Sequence, residues 1–386
     1  MNTAGPALEA ARRIAPLALA ESEAIERDRS LPGGLLGELV DGGLMNMCLP
    51  ASLGGMEAEP ADMIEAIAEL ARADGASAWC AMIASTSSLL GAYLPAERGA
   101  QIYEGGRCVT GGVFAPWGRA ERRADGFLVS GRWSFVSGVQ HCDWVMGGCV
   151  VHDGEQPELL EGGGPDVRLM LMPRESVEVI DTWSVSGLRG TGSHDMEVRD
   201  ELVPLELGVS LFTDRPVVDR PLYAFPLFGL LAVGIAAVAL GIARGAIDDL
   251  VELAAGKTPA ASSKTLAQRP VLQAEVARAE ANLRAARALM LEAARDAMEA
   301  AEAGGAMPVA ERLALRLAAT HTTETAAAAV TAMYHAGGGS SIYDSSRLQR
   351  RLRDIHVATQ HMMIAPPTWE LSGRLLLGLA TDTTQL

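Results

Sequence analysis

The chain has 386 residues, 49% of them apolar and only 4% aromatic, and a formal net charge of −16. A chain this long can bury a large core in two or three domains, while an acidic surface disfavours binding along a nucleic-acid backbone. The five cysteines, Cys48, Cys80, Cys108, Cys142 and Cys149, are scattered with no CxxC pair, which fits a reducing compartment and supports neither a disulfide framework nor a metal site.

The first stretch, Met1 to Arg29, carries Glu9, Arg12, Arg13, Glu21, Glu23, Glu26 and Arg27, so it lacks the apolar centre of a signal peptide and a cytoplasmic location is expected. Residues 7–48 repeat apolar positions at helical spacing and are broken at Pro32-Gly33-Gly34 and Gly42-Gly43, which predicts two helices. Pro60–Ala73 is a third, with Met63, Ile64, Ile67 and Leu70 on one stripe. Ser77 is read as the cap of a fourth, from Ala78 to about Tyr93 before Pro95. An N-terminal helical domain over 1–108 follows from these.

From Val109 glycines, prolines and short β-rich runs take over: Val113–Pro116, Gly126–Val129, Trp133–Ser137, Trp144–Val151, Val167–Met172, Val177–Trp183 and Met196–Val203. Ser130-Gly131 reads as a tight hairpin turn between two of them. The period of two then puts Trp133, Phe135 and Ser137 on one face, a flat aromatic wall ending in a hydroxyl beside Gly138, suited to a flat heterocyclic cofactor. A middle β-domain, barrel or sandwich, is expected over 109–208.

The rest, 209–386, reads as a four-helix bundle and tail: Leu227–Ala255, Pro270–Ala303 stopped by Gly304-Gly305, Val309–His335 stopped by Gly337-Gly338-Gly339, and Ser345 to about Ile364 before Pro366-Pro367. Pro221 to Ala243 has no charged residue and is long enough to cross a bilayer. Its glycines and alanines, and the amphipathic helix that follows, favour a buried bundle helix over a membrane span.

Helical, then β, then four-helix bundle resembles the acyl-CoA dehydrogenase superfamily, an α+β, mostly helical fold. Leu53-Gly54-Gly55, Ala73 to Trp79, Gly131 to Gly138 with Asp143-Trp144, Gly187 to Ser193, Val203-Pro204 and Arg353-Asp354-Ile355-His356 to His361 are similar to the oxygenase components of class D two-component flavin-dependent monooxygenases. Ala92-Tyr93-Leu94-Pro95 and Gly187–Ser193 resemble the actinorhodin-type aromatic polyketide hydroxylases. The superfamily's proton-abstracting glutamate would fall at Met362 or Leu227, and neither side chain can take a proton. Dehydrogenation of an acyl-CoA is therefore the weaker alternative, and N-oxygenation of an amine or amino sugar on the same scaffold is another.

The resemblance implies reduced FMN or FAD and O2, with a C4a-peroxyflavin that hydroxylates an aromatic, polyketide or other secondary-metabolite substrate. Ser137 would hold the flavin N5 hydrogen and Trp133 and Phe135 would shield the ring. Phe114, Ala115 and Pro116 match the loop at the isoalloxazine edge, Gly337, Gly338 and Gly339 the glycine turn near the phosphate, and Arg269 a phosphate contact from a neighbouring subunit. His361 matches the family's working histidine, near the neutral-pH range as a free imidazole. On a helix continuing to Ile364, five residues at about 100° each set it roughly 140° from His356, on another face. The family's pocket histidine is replaced by Ser87, so Ser87, Gly91 and Tyr93 are the expected substrate lining. With no GxGxxG or Walker loop, reduced flavin would come from a separate NAD(P)H-dependent reductase, and a homotetramer is implied. No nucleic-acid or membrane partner is expected.

Overall fold

The computed structural model describes residues 4–103, 105–260, 262–384 and 386. Five helices come first: α1 (Pro6–Asp28), α2 (Gly33–Asp41), α3 (Pro60–Ala73), α4 (Gly75–Ser88) and α5 (Ala96–Tyr103). α3 has the predicted limits. α4 starts earlier than expected because its cap is Asp74, whose Oδ1 accepts both the backbone N–H and the hydroxyl of Ser77 at 2.7 Å; Ser77 is thus the third residue of the helix. α4 carries no charge and is buried on almost every side, so it runs through the molecule rather than over it.

Eight strands follow: β1 (Thr110–Arg122), β2 (Gly126–Val136), β3 (Trp144–Asp153), β4 (Gln156–Pro157), β5 (Val167–Pro173), β6 (Glu178–Ile180), β7 (His194–Pro204) and β8 (Gly208–Val209). They form one sheet in the order β6-β7-β2-β1-β3-β5-β8, with β4 paired to β3; β1 and β3 run parallel and the other pairs antiparallel. Among the described residues no pairing joins β6 to β8, yet β5 and β7, four places apart in that order, approach each other, so the sheet folds over on itself as the middle β-domain that was expected.

β2 corrects the sequence reading twice. It is one continuous strand, and the hairpin turn precedes it, where the Arg123 N–H bonds to the Gly126 carbonyl. Ser130 sits mid-strand: its hydroxyl donates to Asp200 Oδ1 and accepts from the Asp200 N–H, at 3.0 and 2.9 Å, across a register shift between Val129 and Gly131. A second shift, between Trp133 and Val136, leaves an extra residue on β2, and Phe135 takes the left-handed φ of 66° there. Such a bulge reverses the alternation of faces. Trp133 therefore points into the core and Phe135 out of it, so the expected common face does not exist.

The C-terminal part comprises α6 (Pro221–Ala224), α7 (Leu227–Gly256), α8 (Pro270–Ala303), α9 (Val309–Gly337), α10 (Arg347–Ala358) and α11 (Pro367–Leu376). α7, the charge-poor helix, is long and apolar enough to span a membrane by composition, yet 83% of its most apolar window is buried inside the molecule. At Gly241 an added Cβ would stand 2.2 Å from the Ala68 carbonyl oxygen and 2.9 Å from the Arg72 nitrogen, so α3 and α7 touch backbone to backbone. α10 is shorter than predicted. The Thr359 hydroxyl bonds back to the His356 carbonyl at 2.9 Å, a local competitor to helix propagation, and residues 359–366 turn before α11, an element the sequence reading did not anticipate.

Candidate active site

Trp79, one turn into α4, is the hub of the site. Its Nε1–H donates to Ser137 Oγ at 3.0 Å, and its ring lies 5.9 Å, centroid to centroid, from that of His361. Ser137 follows the end of β2, is 7% exposed, and precedes Gly138, which takes a φ of 72° and donates its N–H to the Thr191 carbonyl at 2.8 Å. A line of hydroxyls continues inward: Ser137 Oγ to Ser193 Oγ at 2.8 Å, Ser193 Oγ to Thr191 Oγ1 at 2.7 Å, and Thr191 Oγ1 to the Leu188 carbonyl at 2.9 Å. Thr191 and Ser193 are both almost wholly buried.

The loop that carries these hydroxyls is pinned by α10. Leu188 has a left-handed φ of 49°, and its N–H donates to Asp354 Oδ1 at 2.6 Å. Gly187 lies so close to α10 that a Cβ would meet the Arg353 carbonyl at 2.3 Å, while Arg353 bonds to the Ser186 carbonyl and pairs with Glu26 at 2.6 Å. Burial pushes the Asp354 carboxyl up to about 7, with the nearby Asp74 and Glu26 charges adding to it against the Leu188 N–H. Between its ordinary value near 4 and 7, folded Asp354 thus holds a proton that the unfolded chain has released. Its contribution to stability is full below about pH 4 and is lost as pH rises through 7. Asp354→Asn keeps an acceptor for Leu188 and removes the ionisation. Calorimetric melting from pH 4 to 8 is expected to show a weaker fall with pH than in the parent, by up to a few kcal/mol; an unchanged slope would refute the assignment.

His361 lies in the turn after α10, not on the helix, so the predicted 140° offset from His356 does not apply. His356 is exposed on α10, with Nε2 3.5 Å from the Thr331 hydroxyl. Nδ1 of His361 accepts the Met363 N–H at 3.2 Å, so the neutral ring carries its hydrogen on Nε2, which has no partner among the described residues. Burial, helped by the Arg316 cation, lowers the imidazole to about 4. It is therefore neutral at pH 7 and offers an Nε2–H donor, whereas an unperturbed imidazole would be partly charged. Arg316, itself buried on α9, donates to the Met363 carbonyl at 2.6 Å and so fixes the turn that holds His361.

The other predicted residues are distributed as follows. Phe114, Ala115 and Pro116 lie in a bulge where β1 leaves its register with β3 between Val113 and Gly118; an added Cβ on Gly148 would meet the Phe114 and Ala115 carbonyls at 2.3 and 2.6 Å. Trp133 is fully buried, bonds through Nε1 to the Gly148 carbonyl at 2.8 Å, and packs on Gly118, Gly131 and Gly147. It has no surface to offer a cofactor. Phe135, 64% exposed, meets the edge of Trp183 at 6.3 Å. The Gly337 carbonyl accepts from Lys257 Nζ at 2.6 Å, with Gly338 and Gly339 exposed beyond it, and Arg269 is exposed before α8. Ser87 is buried on α4, two turns beyond Trp79, and Tyr93 is half-buried, its hydroxyl pushed up by burial. At Gly91 an added Cβ would meet Leu49, Leu53 and Tyr103, so that position is packing within the N-terminal core rather than cavity wall.

Trp79, Thr191, Ser193, Trp183 and Arg316 were not singled out as site residues from the sequence. The one available signal was the pair of hydroxyls two residues apart in a glycine-rich loop directly before a strand.

Residues 7–99 match the family model for the acyl-CoA dehydrogenase N-terminal domain and 233–366 that for the C-terminal domain. The indole-3-acetate monooxygenase of Pseudomonas putida is 33% identical over 355 residues, 92% of this chain and 89% of its own. Among solved structures, XiaF from Streptomyces sp., in complex with FADH2 and glycerol, superposes with a TM-score of 0.90 at 26% identity, covering 98% of this chain and 97% of that one. The HsaA monooxygenase from M. tuberculosis superposes at 0.88, also at 26% identity, over 100% of both chains. The likeness to actinorhodin-type hydroxylases is looser than these.

Proposed function

The chain belongs to the flavin-dependent monooxygenases that share the acyl-CoA dehydrogenase fold, and on that premise we propose that it hydroxylates a small aromatic substrate, an indole or phenol in class, as the oxygenase component of a two-component system. One observation carries the reading: a hydroxyl and a neutral imidazole, Ser137 and His361, both rest on the same buried indole, Trp79. The donor set fits a flavin. Ser137 supplies a hydroxyl for N5, the 114–117 bulge leaves backbone groups outside the β1–β3 ladder for the ring edge, exposed Phe135 backed by Trp183 covers a face, and Lys257 with Gly337–Gly339 offers a phosphate end.

Reduced flavin, when bound, supplies the activation of O2. The residues do the rest. Trp79 and the nearly buried Ser137 keep bulk water from the hydroxyl end of the site, and the Nε2–H of His361 offers a hydrogen bond to the oxygen being transferred or to the substrate hydroxyl. With Met362 and Leu227 where a carboxylate base would stand, α-proton abstraction from an acyl-CoA has no base. Ser87 and Tyr93 remain the proposed substrate lining. The assembly is read as a cytoplasmic homotetramer, in which exposed Arg269 reaches a neighbouring subunit's flavin phosphate, and a separate reductase delivers the reduced flavin.

The test supplies the protein with a flavin reductase, NADH, 18O2 and a panel of indoles and phenols. One labelled oxygen atom in an aromatic product is the expected outcome. Reduced flavin that is reoxidised with no labelled product across the panel would remove the hydroxylase reading.

A further inference from the structure

The hydroxyl line behind Ser137 has a direction. The Leu188 carbonyl can only accept; it takes the Trp183 Nε1–H at 3.2 Å and the Thr191 N–H at 3.1 Å, and the Thr191 hydroxyl, at 2.9 Å, must also point its proton there because two bare oxygens would not sit so close. Ser193 must then give its single proton to Thr191 Oγ1 at 2.7 Å, which leaves Ser137 to give its own to Ser193 Oγ at 2.8 Å. At the other end Trp79 Nε1–H can only donate, and it occupies one lone pair of Ser137. Reversing the order would leave the Thr191 and Leu188 oxygens 2.9 Å apart with no hydrogen between them. Chains of this kind also reinforce their own direction in a dry interior. Ser137 Oγ is left with its proton spent, one lone pair filled and one lone pair open.

We propose that this one-way chain makes Ser137 an acceptor only, so that the site selects reduced flavin, which carries a hydrogen on N5, over oxidised flavin, whose N5 has none; Thr191 and Ser193 are the positioning residues that set this preference. The inference rests on the reading that places flavin N5 at Ser137. It assigns a role to two buried side chains that touch neither cofactor nor substrate. Selection of this sort suits an enzyme that receives its flavin already reduced, because the spent, oxidised form is then the weaker ligand and leaves.

The experiment measures dissociation constants of oxidised and, anaerobically, reduced FMN and FAD for the parent, Ser193→Ala, Thr191→Val, Ser193→Thr and Ser137→Ala, and the midpoint potential of the bound flavin by spectroelectrochemistry. In Ser193→Ala the Ser137 proton is freed to donate to bare N5. The ratio of oxidised to reduced dissociation constants is expected to fall about tenfold, equivalent to a potential lower by about 30 mV for a two-electron couple. Thr191→Val, which also frees a proton along the chain, is expected to move it the same way. Ser193→Thr, which keeps the hydroxyl, should hold the parent ratio. A ratio unmoved by Ser193→Ala but altered by Ser137→Ala would overturn the directional chain and leave the flavin site standing. If Ser137→Ala leaves both constants unchanged as well, the placement of flavin at Ser137 falls with it.

Discussion

Replacing His361 with alanine is expected to lower aromatic product per reduced flavin by about 10²-fold or more, while the affinity for reduced flavin stays within a few-fold of the parent. The argument runs from the tautomer. Met363 N–H occupies Nδ1, so the hydrogen is on Nε2 and the ring presents a donor that nothing among the described residues engages. Deleting it removes that donor without removing Ser137 or the bulge proposed to bind the flavin. Oxygen should still be consumed, ending as hydrogen peroxide instead of product. His361→Asn, which keeps an N–H donor of shorter reach, should recover part of the yield. The pH profile is a second reading of the same residue. Because burial lowers the imidazole to about 4, the acid limb due to His361 lies near pH 4 and no inflection from it appears between 6 and 7. Full product yield from His361→Ala, measured by chromatography alongside a peroxide assay, would end its assignment.

The second large effect is on stability. Trp133→Ala should cost about 3–5 kcal/mol, the usual range for deleting a large aromatic side chain from a packed core, and it also strands the Gly148 carbonyl that accepts the indole N–H. The indole fills a slot whose walls are glycine: an added Cβ on Gly118, Gly131 or Gly147 would approach it within 2.2–2.7 Å. Denaturant or thermal unfolding should report the loss, while Trp133→Phe should bind reduced flavin like the parent. A Trp133→Phe protein that folds with parental stability yet loses flavin would mean that Trp133 faces the cofactor after all.

That contrast marks how far the sequence could be read. α3 and α8 were legible to the residue because a proline opens each and an aspartate or a glycine pair closes it. β3, β5, β6 and β7 were legible from their β-rich runs, whereas β1 was read only over Val113–Pro116, β2 was read as two strands, and β4 and β8 were not read at all. What escaped were single-residue events. One extra residue in β2 turned Phe135 to solvent and Trp133 inward, and no period-two count reveals where a bulge falls. α10 stops at Ala358, which moves His361 from a helix into a turn. Ser137 and His361 were found through family likeness, not through spacing. Their common support, Trp79, lies 58 positions from Ser137, a distance at which local pattern carries no information. Asp74 as cap was within reach, since an aspartate three residues before a serine can accept that serine's N–H and hydroxyl together.

The backbone contact of α3 with α7 at Gly241 bears on how the chain can be made and cut. α7 is a greasy rod that water tolerates only while other helices sheathe it, and part of that sheath, α3, is synthesised well over a hundred residues before it. A ribosome therefore releases the cover first and the rod later, so the rod can dock as it emerges. A truncated version starting within the sheet would keep α9 and α10 on the rod but leave its α3 side uncovered, and it is expected in detergent or as aggregate rather than as a separately folding module.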